Sequence, residues 1–277
     1  GRIGRLTLRS LFERNINNIE ILAVNDLADI SSNIHLFKYD SVHGIFNKSI
    51  FQNGNNVEID GKKISFFSES NPENLPWKEM GIDLVIESTG IFTKKDKAKL
   101  HINSGAKKVL ISAPSPDADI TVVFGVNHKK IKKEHKIVSN GSCTTNCLAP
   151  VAYILDEKLG IKSGYMTTVH SVTGDQNTID TFHKDLRRAR NSSLSMIPTS
   201  TGAARAVGDV LPNLIGKLEG SAIRVPTANV SLIDFCFEST KKTSVNDLNN
   251  LMVNSSENEF KGILQTSNDS LVSCDFN

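Results

Sequence analysis

The chain has no apolar run approaching the roughly 20 residues needed to cross a bilayer, so it carries no membrane-spanning segment. Cysteine is scarce: four in 277 residues, none forming a C-x2-C pair, which excludes a disulfide scaffold and suits a reducing cytosol. The seven histidines never fall at metal-ligand spacing beside a cysteine or carboxylate cluster, so no metal is expected. Charge of one sign is missing too. With 32 basic against 30 acidic residues the net charge is +2, which gives no footprint for a dedicated nucleic-acid site. No charged start followed by an apolar run reads as a secretion signal, although Gly1 is not a natural start. Repeats and low-complexity tracts are absent. The expectation is a cytoplasmic protein.

What is present is ordinary for a folded chain: 39% apolar and 22% charged residues, over a length that favours two domains. The first half alternates short β-branched runs with helical stretches. Strands are expected at 19–24, 82–86, 108–111 and 120–124, with helices at 30–37 and 94–103. That alternation implies crossover connections and a largely parallel sheet. One hairpin interrupts it, 57–59 and 64–67, turning through Asp60-Gly61. After Cys143 the pattern changes: a helix to Leu159 stopped by Gly160, then longer strands at 164–170, 221–225 and 230–237. Residues 173–200 read as a long polar loop, which in a compact domain is more often functional than idle. The boundary falls near 140–142.

The chain opens GRIGRL, the back half of a G-x-G-x-x-G turn whose first glycine and strand lie outside the sequence. Alone this could equally be a glycine pair at a helix start. Asp26 adds weight, because it follows an apolar strand at about 20 residues past Gly4. A carboxylate there can accept both ribose hydroxyls of an adenosine and repel a 2′-phosphate; the plainer alternative is a helix N-cap.

SNGSCTTNC at 139–147 is the most informative stretch: a strand ends, a polar turn follows, and a helix begins. Cys143 falls in the first helical turn, where unpaired N–H groups favour a thiolate, the nucleophilic form. The alternative is a buried structural thiol, the reading kept for Cys147. His170 ends the next strand, which can return it beside that helix start and make a Cys–His nucleophile and base, or else bury it as a core histidine. Ser142, Thr144, Thr173, Thr201 and Gly202 lie at loop–helix junctions suited to oxyanions. Arg187, Arg188, Arg190 and Arg224 supply guanidinium forks; the first three could equally be a solvated charge run, whereas Arg224 lies inside an apolar strand.

Together these segments resemble phosphorylating glyceraldehyde-3-phosphate dehydrogenases of the bacterial type. The matching text is GRIGRL, VNDL, KYDSVHG, ESTGIF, SAPS, SCTTNCLAP, TTVHSVTGDQ, HKDLRRAR, IPTSTGAARAV and RVPTANVSLIDF, in the family's order across essentially the whole chain. The resemblance implies an α/β protein. Residues 1–141 would be a Rossmann-type NAD-binding domain lacking its first strand, and 142–277 an α+β catalytic domain with a mostly antiparallel sheet, lacking its C-terminal part. It implies oxidation of glyceraldehyde 3-phosphate to 1,3-bisphosphoglycerate with NAD and inorganic phosphate, through a thiohemiacetal and a thioester on Cys143. His170 would be the base. Arg2, Ile3, Asp26 and Ser112 would contact NAD. Thr173 and Arg224 would hold the substrate's C3 phosphate, while Ser142, Thr144, Thr201 and Gly202 bind the attacking phosphate and Arg188 lies between. The loop 173–200 would line a neighbouring subunit's cofactor pocket in a homotetramer.

Three positions depart from the family: Gly141 where alanine is usual, and Phe182 and Ala228 where proline is common. The resemblance further implies a fragment that lacks a distal asparagine and a returning helix, and that binds NAD poorly. Three alternatives stand beside this reading: an erythrose-4-phosphate dehydrogenase, a cofactor-independent thiol hydrolase using Cys143 and His170, and an RNA-binding module using the dinucleotide groove.

Overall fold

The structure is a computed structural model that describes all 277 residues. The chain divides into two compact units, one comprising 1–121 and 132–140, the other 122–131 and 141–277.

The first unit begins with α1 (Arg2–Glu13), whose buried stripe includes Leu8 and Phe12. Strand β1 (Ala23–Asn25) and helix α2 (Ile30–Lys38) follow, then β2 (Tyr39–Asp40), β3 (Gly44–Ile45), β4 (Ile50–Asn53), β5 (Asn56–Ile59) and β6 (Lys62–Phe67). Asp29 starts α2 by accepting the Ser32 N–H at 2.8 Å, satisfying one of the helix's orphan donors. Asp60 and Gly61 both take positive φ, 50° and 78°, as the expected two-residue hairpin turn requires. Strands β7 (Leu84–Glu87), β8 (Lys108–Ile111), β9 (Ile120–Thr121) and β10 (Ile137–Ser139) form a second sheet, with α3 (Lys95–Asn103) between β7 and β8.

The unit thus holds two four-stranded sheets, β1-β6-β5-β4 and β7-β8-β10-β9, the latter parallel throughout. The second follows from the expected crossover connections, whereas in the first β4, β5 and β6 run on as an antiparallel meander and only β1 joins β6 in parallel. Three expected strands are trimmed: β1 starts at Ala23, past the 49% exposed Ile19, β7 starts at Leu84, and β9 stops at Thr121 because Val123 joins the core of the second unit.

In the second unit α4 (Cys143–Leu159) leads into β11 (Ile161–Ser171). Gly160 joins them at φ 73°, and a Cβ there would sit 1.9 Å from Thr240 Oγ1, so no other residue fits the corner. Next come β12 (Ile197–Ser200), α5 (Ala203–Val210), β13 (Leu218–Val225), β14 (Ser231–Ser239) and α6 (Val245–Glu257). The sheet order is β12-β13-β11-β14, antiparallel at both outer pairings and parallel between β13 and β11. Leu148, Ala152, Met166, Val207 and Leu218 knit α4, α5 and this sheet into one core. Residues 173–200 are therefore not loop throughout, since their last four pair with β13. No helix is long and apolar enough to cross a membrane.

Candidate active site

Ser142 is the N-cap of α4; its Oγ accepts the Thr145 N–H at 3.0 Å and lies 2.7 Å from Thr145 Oγ1. That cap places Cys143 at the first helical position, accessible to solvent. Its Sγ lies 3.2 Å from His170 Nε2. The imidazole hydrogen bond lowers the thiol pKa from 9.0 to about 7, against the opposing pull of partial burial. Cys147 is accessible as well, so it is not the buried thiol expected; the surrounding protein and the neighbouring sulfur both push its thiol pKa upward. Helix position separates two cysteines that composition cannot.

His170 is buried near the end of β11, where its direct partner in the parallel register with β13 is Arg224. Parallel pairing puts both side chains on one face, and Arg224 Nη1 reaches His170 Nδ1 at 2.5 Å and the Ser171 carbonyl at 3.0 Å. Nδ1 also lies 2.7 Å from that carbonyl. A guanidinium can only donate, so Nδ1 accepts from Arg224 and the ring proton sits on Nε2, facing the sulfur. With Arg224 drawn away, Nδ1 is free to carry a proton and donate to Ser171. The two arrangements exclude each other. Arg224 Nε is buried with no partner, and burial together with the nearby positive charge of Arg188 pushes the guanidinium pKa below its ordinary value. An anion is what that environment lacks.

Arg188 is not part of a solvated run. Its Nε and Nη2 donate to Thr199 Oγ1 at 3.0 and 2.9 Å, and its Nη1 pairs closely with Asp175. Arg190 instead pairs with Asp180 at 2.9 Å. Thr173 donates through N–H and Oγ1 to Gln176 Oε1 at 2.9 and 3.1 Å, which fixes the loop where it leaves β11. Thr201 Oγ1 accepts the Ala203 N–H at 3.1 Å and Gly202 is the N-cap of α5. Thr145 Oγ1 donates to the Ala203 carbonyl at 3.4 Å, tying the start of α5 to the first turn of α4. Thr144 is buried, with its hydroxyl 3.9 Å from the Cys143 sulfur. Thr145, Asp175, Gln176 and Thr199 were not legible from sequence, because each acts by orienting another residue.

In the first unit, Arg2 and Ile3 lie in the opening turn of α1, which has no side-chain cap, and Arg2 pairs with Asp40. Asp26 follows β1 and Ser112 follows β8, both at carboxyl ends of parallel strands, where open α/β sheets bind ligands. The backbone nitrogen of Gly1 lies 2.6 Å from Asp26, which brings the start of α1 beside the end of β1. Asp26 Oδ1 also accepts the Ala28 N–H at 3.0 Å, which fixes the carboxylate at the end of β1. Ser88 Oγ is buried with no partner, beside Gly4 in the same turn of α1. Free helix-start N–H groups, an ionised carboxylate and an orphaned hydroxyl fit the pyrophosphate, ribose and polar edges of a dinucleotide.

Comparison with known proteins assigns both units. Residues 142–277 match the family model described as the C-terminal domain of glyceraldehyde 3-phosphate dehydrogenase, and residues 1–95 match that of its NAD binding domain. Relatives include glyceraldehyde-3-phosphate dehydrogenase of Xanthobacter flavus, 52% identical over the whole chain and 83% of the relative's length. Glyceraldehyde-3-phosphate dehydrogenase 1 of Bacillus cereus is likewise 52% identical, with 83% covered, and the Geobacillus stearothermophilus enzyme 52%, with 82% covered. With residues 1–95 and 142–277 matched by the two family models and the whole chain matched by these relatives, the chain belongs to the glyceraldehyde-3-phosphate dehydrogenase family.

Proposed function

We propose that the protein oxidises glyceraldehyde 3-phosphate to 1,3-bisphosphoglycerate with NAD and inorganic phosphate, as a cytoplasmic enzyme of central carbon metabolism. The observation that carries this is the 3.2 Å contact between Cys143 Sγ and His170 Nε2 at a helix start, with two guanidinium groups alongside. Domain roles are those of the sequence reading, 1–141 for the cofactor and 142–277 for catalysis, except that residues 122–131 and Gly141 belong to the second unit.

In this mechanism the Cys143 thiolate adds to the aldehyde carbon. Backbone N–H groups of the first turn of α4, that of Cys143 among them, receive the developing oxyanion. The oxyanion takes the Nε2 proton of the His170 imidazolium, giving the thiohemiacetal hydroxyl, and the emptied Nε2 takes that proton back as hydride leaves the carbon. Arg2, Ile3, Asp26 and Ser112 would hold NAD, which would supply the hydride acceptor; loss of hydride from the thiohemiacetal carbon leaves a thioester on Cys143. Arg224 and Thr173 hold the C3 phosphate. As Arg224 turns to that anion it releases Nδ1 of His170, which then donates to Ser171 and lets the ring hold a second proton beside the sulfur. Substrate binding and ionisation of the nucleophile are thereby linked. Ser142, Thr144, Thr201 and Gly202 seat the inorganic phosphate that attacks the thioester, with Arg188 between the two anions.

A homotetramer fits the segment 173–200, where Phe182, Leu186 and Leu194 lie 90%, 78% and 84% exposed. Apolar side chains so close together in one segment are rarely left to solvent. The functional test is NADH formation that requires both the aldehyde and phosphate, run beside erythrose 4-phosphate. Cys143→Ser should abolish it and His170→Asn reduce it; activity that survives Cys143→Ser, or that ignores phosphate, overturns the reading.

A further inference from the structure

The most connected polar group outside the catalytic unit is buried in the first unit. Trp77, Glu87 and His101 are each 4% exposed. Trp77 Nε1 donates to His101 Nδ1 at 3.0 Å. An indole N–H can only donate, so Nδ1 must accept and the ring proton sits on Nε2. Nε2 faces Glu87 Oε2 at 3.1 Å. The other oxygen, Oε1, accepts from Thr89 twice, from N–H at 2.7 Å and from Oγ1 at 2.5 Å. Thr89 Oγ1 in turn accepts the Ile91 N–H at 3.1 Å. Every donor in the relay points toward one carboxylate.

That carboxylate sits where the cofactor turns are built. Glu87 is the last residue of β7, and its backbone carbonyl accepts the Ser112 N–H at 2.9 Å. Its side chain therefore holds the turn after β7 while its backbone holds the turn after β8. The first of these turns packs on α1: a Cβ on Gly4 would lie 3.6 Å from Ser88 Cβ. A buried ionic relay is a poor choice for stability alone, because apolar residues of similar volume usually serve as well. What it supplies is a fixed direction for each donor.

We infer that Glu87 and His101, locked by Trp77, are positioning residues for NAD, setting the turn 88–90 against the start of α1. They do not touch the reacting atoms. The inference rests on the NAD-binding assignment of this unit and not on the roles proposed for Cys143 or His170.

The test uses the full-length polypeptide and Glu87→Gln. The new amide must aim a hydrogen either at the Thr89 N–H or at His101 Nε2–H. Tautomer reversal at His101 only moves the conflict to the Trp77 N–H. One such donor–donor contact corresponds to about a tenfold rise in the NAD dissociation constant by titration calorimetry. Hydrogen exchange of the peptide spanning 88–92 should quicken before NAD is added, while kcat at saturating NAD and the disulfide-exchange rate of Cys143 stay within about twofold. Adding Trp77→Phe should recover part of the affinity, since it lets the imidazole reverse. Thr89→Val, at an exposed residue, should weaken NAD several-fold and Thr89→Ser should not. NAD affinity within about twofold of the unaltered protein in both Glu87→Gln and Thr89→Val overturns the inference, as does equal loss with and without Trp77→Phe. Failure of the unaltered protein to bind NAD would instead refute the cofactor assignment.

Discussion

Replacing His170 by asparagine tests the link from helix start to nucleophile. The imidazole contact is the main cause holding Cys143 at about 7 against the ordinary 9.0. At pH 7 about half the thiol is ionised with that contact, and roughly 1% without it, an approximately fiftyfold difference. Thiolate nucleophilicity runs the other way. With a Brønsted coefficient of about 0.4–0.5, a rise of about two in pKa makes each thiolate roughly eightfold more reactive toward a disulfide. The net expectation at pH 7 is thus a rate about sixfold lower in His170→Asn. Above about pH 9.5 both thiols are ionised, and the variant should be the faster, by severalfold, with the profiles crossing near pH ~8. The assay is exchange with a small aromatic disulfide, read by fragment-ion mass spectrometry that places the label on Cys143 rather than Cys147 of the same peptide. Parallel profiles with no crossing would show that His170 does not set the ionisation of Cys143.

Other consequences follow from the same geometry. Arg224→Ala should raise KM for glyceraldehyde 3-phosphate about ten- to a hundredfold, as loss of charge-assisted hydrogen bonds does, while unphosphorylated glyceraldehyde is little changed; equal losses on both would place Arg224 elsewhere. Asp26→Ala should cut the preference for NAD over NADP by about tenfold or more, because the like charge facing a 2′-phosphate is gone; an unaltered ratio of kcat/KM values would refute that role. Leu148, 1% exposed in the core of the catalytic unit, should cost about 2–5 kcal/mol when truncated to alanine. Phe51→Ala, at a residue 64% exposed, should stay within about 0.5 kcal/mol, both read by urea unfolding.

The sequence exposed the pair Cys143–His170 because both fall at element boundaries, the start of α4 and the end of β11, which turn residues and β-branched runs mark well. It did not expose β12, a four-residue strand containing Pro198 that exists through pairing with β13. Helix α6 was hidden by its own polarity: six of its thirteen residues are Asn, Asp or Glu, its one buried residue is Ser255, and its start depends on the Ser244 cap. The anion-facing residues were legible as types, whereas their supports were not. Thr199 bracing Arg188 and Trp77 fixing the tautomer of His101 depend on contacts across chain separations of 11 and 24 residues, which no local pattern encodes. Tertiary packing supplies them.

Because His170 and Arg224 face one another as strand partners, the roles proposed for them make the alignment of β11 on β13 itself a catalytic parameter. Sliding either strand by one residue would send one of the two side chains through to the opposite surface of the sheet and part the base from its guanidinium. Insertions should therefore be harmless in the exposed connections outside these strands and ruinous within them, even where every side chain of the active centre is retained. Evolution of this unit is free to lengthen its surface loops, but it must keep count along two strands.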